Sequence, residues 1–96
     1  MVLQSSIETK TIPKEAVEIS TLLKEIVHLY DYAANVILFG SRARGDAHNE
    51  SDWDFLILTE RNDTDLLLRE LIPEVRKKIE SVHSVVISLL IKNKKI

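Results

Sequence analysis

A short apolar run, Val36-Ile37-Leu38-Phe39, stops at Gly40-Ser41, and a second apolar run begins behind Asp52-Trp53-Asp54 after ten intervening residues. No other stretch restricts the fold as much. An unbroken apolar run bounded by glycine reads as a short strand, and its lack of polar alternation fits a strand covered on both faces. Gly40, with no Cβ, accepts unusual backbone angles and lets another group come close. Residues 41–44 can then open a helical turn whose leading N–H groups have no internal acceptor and favour an anion. Arg42 and Arg44 add positive charge there, and Gly45 lets the chain leave. Residues 46–51 are polar and read as a loop that returns the second strand to the side of the first. Asp52 and Asp54 are one residue apart. On a strand both carboxylates project to one side and Trp53 to the other, which makes Trp53 a core anchor.

Paired carboxylates suit Mg²⁺, a hard cation that is satisfied by a few protein oxygens together with phosphates and water. Transfer of phosphoryl or nucleotidyl groups asks a protein mainly for alignment and charge neutralisation. An anion-holding turn facing a metal-holding pair meets that demand. A Gly-Ser turn alone, or a D-x-D alone, is common. Both at this spacing, each set against an apolar run, form a much more specific pattern.

The extended form, G-S-R-A-R-G-D followed by S-D-W-D, resembles the minimal nucleotidyltransferases of the polymerase-beta-like superfamily, including the antitoxins paired with HEPN-type toxins. The resemblance implies an α+β fold, a small mixed sheet flanked by helices. It also implies Mg²⁺-dependent transfer of a nucleoside monophosphate from a nucleoside triphosphate, ATP by resemblance, to an acceptor hydroxyl. A HEPN-type toxin is the implied acceptor if the acceptor is a protein. Asp52 and Asp54 are the implied metal ligands and catalytic pair. Gly40 and Ser41, assisted by Arg42 and Arg44, are the implied phosphate holders. Active members of the superfamily usually add a third carboxylate from a later strand, but the candidate strand here, SVHSVVISLLI, contains no Asp or Glu. Ser88 and Ser84, or Glu50 from the motif loop, are the substitutes the chain offers, and a serine carries no charge to attract a cation. The alternative expectation is therefore a nucleotide- or partner-binding module of the same fold without chemistry.

The remainder is expected to form a single domain over residues 1–96. Residues 1–12 read as a loosely packed lead-in. Pro13 suits the first turn of a helix, with Thr11 or Ile12 in the capping position and Thr11 the better chemistry. Val17, Ile19, Leu22, Leu23, Ile26, Leu29 and Tyr30 give that helix one apolar face as far as residue 32. A second helix opens at Asp63 or Thr64 with a stripe of Leu66, Leu67, Leu71, Val75 and Ile79. Pro73 lies inside this pattern and predicts a break or kink near Ile72, with Pro73 opening a second segment. Residues 81–91 read as a third strand, with Glu80 facing solvent before it, and residues 92–96 as a basic tail.

A net charge of −2 argues against nucleic acid as the partner. The absence of cysteine removes disulfides and thiolate metal sites. No leader pattern and no apolar run near the roughly 20 residues of a membrane span is present, so a cytoplasmic location is expected. The three histidines show no metal-ligand spacing.

Overall fold

The computed structural model describes residues 13–95. Its elements are α1 (Lys14–Tyr30), β1 (Asn35–Phe39), α2 (Ser41–Arg44), β2 (Trp53–Thr59), α3 (Thr64–Val75), a π-helical turn (Arg76–Glu80), α4 (Ser81–His83) and β3 (Ile87–Asn93). The strands form one sheet in the order β1-β2-β3, with β2 antiparallel to β1 and parallel to β3. This is the small mixed α+β architecture expected. The lead-in of residues 1–12, with its Thr11 cap, lies outside the described residues.

Helix α1 buries Ala16, Ile19, Leu23, Ile26 and Val27. At about 100° per residue these fall on one stripe, while Val17 and Leu29 lie roughly 100° or more from its centre. Both are exposed despite their apolar character. Pro13 sits in the cap position with ψ 140°, one residue ahead of the first turn.

Strand β2 alternates without a lapse. Trp53, Phe55, Ile57 and Thr59 are buried, and the residues between them are half-buried. Register places Val36 opposite Ile57 and Leu38 opposite Phe55. On the other side it places Ile87, Leu89 and Ile91 opposite Trp53, Phe55 and Ile57. These residues pack with α1 and α3 into one core. The opposite face carries three rows: Phe39-Asp54-Ser88, Ile37-Leu56-Leu90 and Asn35-Leu58-Lys92. No described helix covers it. Ile37 and Phe39 are each 41% exposed, so β1 is covered on one face only, against the expectation of two. Both long helices lie on the same side of the sheet.

Pro73 does not break α3. The helix runs through it to Val75 and continues through the π-helical turn to His83. Pro73 is exposed, so the Arg69 carbonyl that loses its internal partner can meet water. The buried residues Leu67, Leu71, Val75 and Ile79 explain the continuity. Four-residue steps overshoot a 3.6-residue turn by about 40° each, so three steps would carry Ile79 well off the sheet. The wider i→i+5 turn takes up that drift. The third strand is correspondingly shorter at its start than expected. Residues 81–83 are helical, Ser84 ends the helix at φ 55°, and β3 extends through Lys92 and Asn93, which the sequence assigned to a tail.

Candidate functional site

The bend after β1 lies against the acidic strand. Gly40 has φ 77° and ψ −158°, and a Cβ placed on it would overlap Asp54 Oδ2 and stand 3.3 Å from Asp54 Cγ. The chain has two glycines, and both are in this loop with positive φ: Gly40, and Gly45 at φ 86° closing α2. The turn at Ser41–Arg44 forms as expected. Gly40 O accepts from Ala43 N and Arg44 N, and Ser41 O from Gly45 N and Asp46 N. The N–H groups of Ser41 and Arg42 precede these bonds and have no backbone acceptor among the described residues.

Asp54 is half-buried on the open face, between Phe39 and Ser88 in register. Asp52 immediately precedes β2 and is exposed. Trp53 between them is 2% exposed and faces the core. Of the three substitutes for a further carboxylate, Ser88 alone shares a row with Asp54. Ser84 sits in the left-handed residue that ends α4, off the strand, and Glu50 is exposed in the loop turn. Among the described residues no three acidic or histidine side chains converge as a metal cluster.

The two arginines do different things. The Arg42 guanidinium lies 4.4 Å from the centre of the Trp53 ring. Its Nη2 donates to Ser51 O at 3.0 Å and to Asn49 O at 3.5 Å. Arg42 therefore clamps the end of the motif loop over the lone tryptophan, a role sequence reasoning did not assign. Arg44 is exposed and pairs with Asp46 at 3.2 Å. His48 is exposed, and its backbone N–H donates to Ser51 Oγ.

Two supports outside the motif were also missed. Asp31, just after α1, accepts hydrogen bonds from Thr59 Oγ1 and from the N–H groups of Glu60 and Ala33. Burial pushes its carboxyl up, but these bonds, with the charge of Lys94, outweigh burial and hold it below the usual range. The signal was Thr59, an inward position of β2 whose hydroxyl needs a buried partner. Glu80, expected to face solvent, accepts from Ile87 N at 2.7 Å and caps the start of β3. His28 is half-buried at the boundary of the core, with Nε2 donating to Ala34 O at 3.0 Å.

No described helix is long and apolar enough to cross a membrane. No curated protein and no solved structure matches the chain significantly. The family model described as "Nucleotidyltransferase domain" matches residues 19–96, a span that takes in the bend, the acidic strand and β3. This chain belongs to the nucleotidyltransferase domain family.

Proposed function

We propose that the chain transfers a nucleoside monophosphate from a nucleoside triphosphate, ATP by resemblance, to an acceptor hydroxyl. If the acceptor is a protein, the resemblance points to a HEPN-type toxin with this chain as its antitoxin. The observation that carries the reading is the approach of Gly40 to Asp54: the anion-holding bend and the acidic strand share one corner of the open face. Asp52 and Asp54 suit Mg²⁺, which commonly takes one or two carboxylates with substrate phosphates and water. When bound, the ion would neutralise charge on the phosphates.

The rest is the work of the chain itself. The free N–H groups of Ser41 and Arg42 offer donors to the terminal phosphates. Arg44 can join them by releasing an exposed pair of small worth. Arg42 holds the loop that leads into Asp52 rather than the substrate. Ser88 stands where a further acid would complete the site, and its hydroxyl brings no charge. That neutral position is what favours the second reading, a nucleotide- or partner-binding module without transfer.

Calorimetry with ATP and Mg²⁺ tests the site, and transfer of label from α-labelled ATP, with and without a HEPN partner, tests the chemistry. Asp52→Asn combined with Asp54→Asn should abolish Mg²⁺-dependent binding. Unchanged binding by that variant refutes the site. Binding without transfer under both conditions selects the second reading.

A further inference from the structure

The outer edge of β3 is unpaired among the described residues, and its hydrogen-bonding phase is known. Trp53 N donates to Val86 O and Lys94 N donates to Thr59 O, so the even-numbered residues of this segment turn their backbone groups toward β2. Ile87, Leu89, Ile91 and Asn93 turn theirs outward. Glu80 caps the Ile87 N–H. The others present an unpaired ladder without proline, and Lys92, on the open face, is the one charged residue of the strand. Beside it runs an apolar groove of about 480 Å³, floored by Leu68 and Ile72 of α3 and by Ile87 and Leu89. On the open face Leu90 is 46% exposed.

The occupant must satisfy the outward ladder, fill the groove and extend the rows of the open face. We infer that it is a second copy of this chain, with the two β3 strands antiparallel about a twofold axis at Leu90. Of the twofold registers that join outward groups to outward groups, a centre at Leu89 sets Lys92 against Val86, and a centre at Ile91 sets Lys92 against Leu90. A centre at Leu90 pairs Leu89 with the second copy's Ile91 and Leu90 with its own counterpart. The apolar row Ile37-Leu56-Leu90 then continues into the same row of the second copy.

Charge selects the same register. It sets Lys92 of one copy beside Ser88 of the other, so the acidic row Phe39-Asp54-Ser88 ends in a lysine from across the axis. One strand spacing is about 4.8 Å. A lysine stem lying over Ser88 therefore brings its ammonium toward the Asp54 carboxylate. Each site would gain in trans a cation suited to the triphosphate, which does not stand in for the missing carboxylate. The pairing itself stands independently of the proposed function; the role of Lys92 rests on that reading.

The chain has no cysteine, so single cysteines report the register. Leu90 would face its counterpart as a non-hydrogen-bonded pair with Cα atoms about 4.5 Å apart, within disulfide reach. Under mild oxidation Leu90→Cys should give a covalent dimer. Lys92→Cys alone should not, but mixed with Ser88→Cys it should. The wild-type chain should sediment at twice its chain mass, and Leu90→Asp should sediment as a monomer with an unchanged far-ultraviolet spectrum. A monomeric wild type, or Leu90→Cys that stays uncrosslinked, overturns the pairing.

Lys92→Met should remain a dimer and weaken ATP binding about tenfold. Mixing Lys92→Met with Asp54→Asn should restore tight sites that neither parent has, because one mixed site keeps both Asp54 and the lysine opposite. No restoration in mixed dimers overturns the contribution of Lys92. Absence of ATP binding by the wild type would count against the proposed function and leave the crosslinking result standing.

Discussion

Gly40→Ala is the sharpest test of the site geometry, because the structure separates two costs. The first is in the backbone. With φ 77° and ψ −158°, Gly40 occupies a region that residues with a Cβ essentially avoid, at a cost of about 1–3 kcal/mol. The second is contact. The new Cβ would overlap Asp54 Oδ2, yet stand 3.4 Å from Asp54 Cβ, an ordinary separation. The strand can therefore stay while the carboxylate rotates away. Stability should fall by at least the backbone cost, a midpoint shift of roughly 1–3 M in urea for a slope near 1 kcal/mol/M, with the displaced Asp54 carboxylate adding to it. Mg²⁺-dependent binding or turnover should fall further, since misplacing a reacting group by about 1 Å costs on the order of 10²-fold. Asp54→Ala, alone and with Gly40→Ala, closes a double-mutant cycle. In the Asp54→Ala background the glycine substitution should cost only its backbone share. An unchanged urea midpoint for Gly40→Ala refutes the strained bend, and zero coupling in the cycle refutes the close approach to Asp54.

Ser88→Asp sets a second carboxylate directly opposite Asp54, where like charges cost about 0.2–1 kcal/mol, so the variant should be less stable than wild type in chelator. Mg²⁺ should reverse the loss, and thermal midpoints insensitive to the ion would contradict the shared row. Arg42→Ala removes a cation over Trp53 and a charged donor to Ser51 O, for about 2 kcal/mol. The lone tryptophan should shift its emission and amide exchange in residues 46–51 should speed up, with Arg42→Lys recovering little of either. Asp31, held below its usual range when folded, contributes stability that is complete above the unfolded value near 3.8 and is lost as pH falls through the folded value. Asp31→Asn should lower stability at pH 7 by about 1.5–3 kcal/mol and flatten the acid limb of the denaturation profile; an unchanged limb would assign the acid sensitivity elsewhere.

The elements that were legible in the sequence are those whose pattern is local. The strand-bend-turn of residues 36–44 and the alternation of Asp52-Trp53-Asp54 follow from runs of side chains and from glycines at two positions, and both form, though β1 is covered on one face where its apolar run implied two. The inward turn of Trp53 followed from the same alternation. What was not legible depends on distant partners. Pro73 sits in a helix that the burial of Leu71, Val75 and Ile79 keeps continuous, so packing overrode a local penalty. The start of β3 was misplaced because Val82, Val85 and Val86 look the same to a pattern whether they end a helix or begin a strand. Only the left-handed Ser84 divides them. The clamp made by Arg42 was not legible because the sequence gives its charge and not the carbonyls within its reach.

The face on which the acids lie was decided by the residue between them. A strand that alternates must choose which set of side chains to bury, and β2 had Trp53, Phe55 and Ile57 on one side against Asp52 and Asp54 on the other. Turning the strand over would expose the largest side chain of the core and bury two carboxylates, each costing several kcal/mol even after relaxation. The helices must then gather on the tryptophan side. Helix α1 precedes the sheet and α3 joins the parallel strands β2 and β3, while the β1–β2 connection is a loop with one helical turn and has no helix to spare. The described residues therefore leave the acidic row open together with the apolar row beneath it. Burial of the Trp53-Phe55-Ile57 side thus accounts both for the exposure of Asp54 beside Gly40 and for the Ile37-Leu56-Leu90 row, uncovered among the described residues, that a second copy can extend.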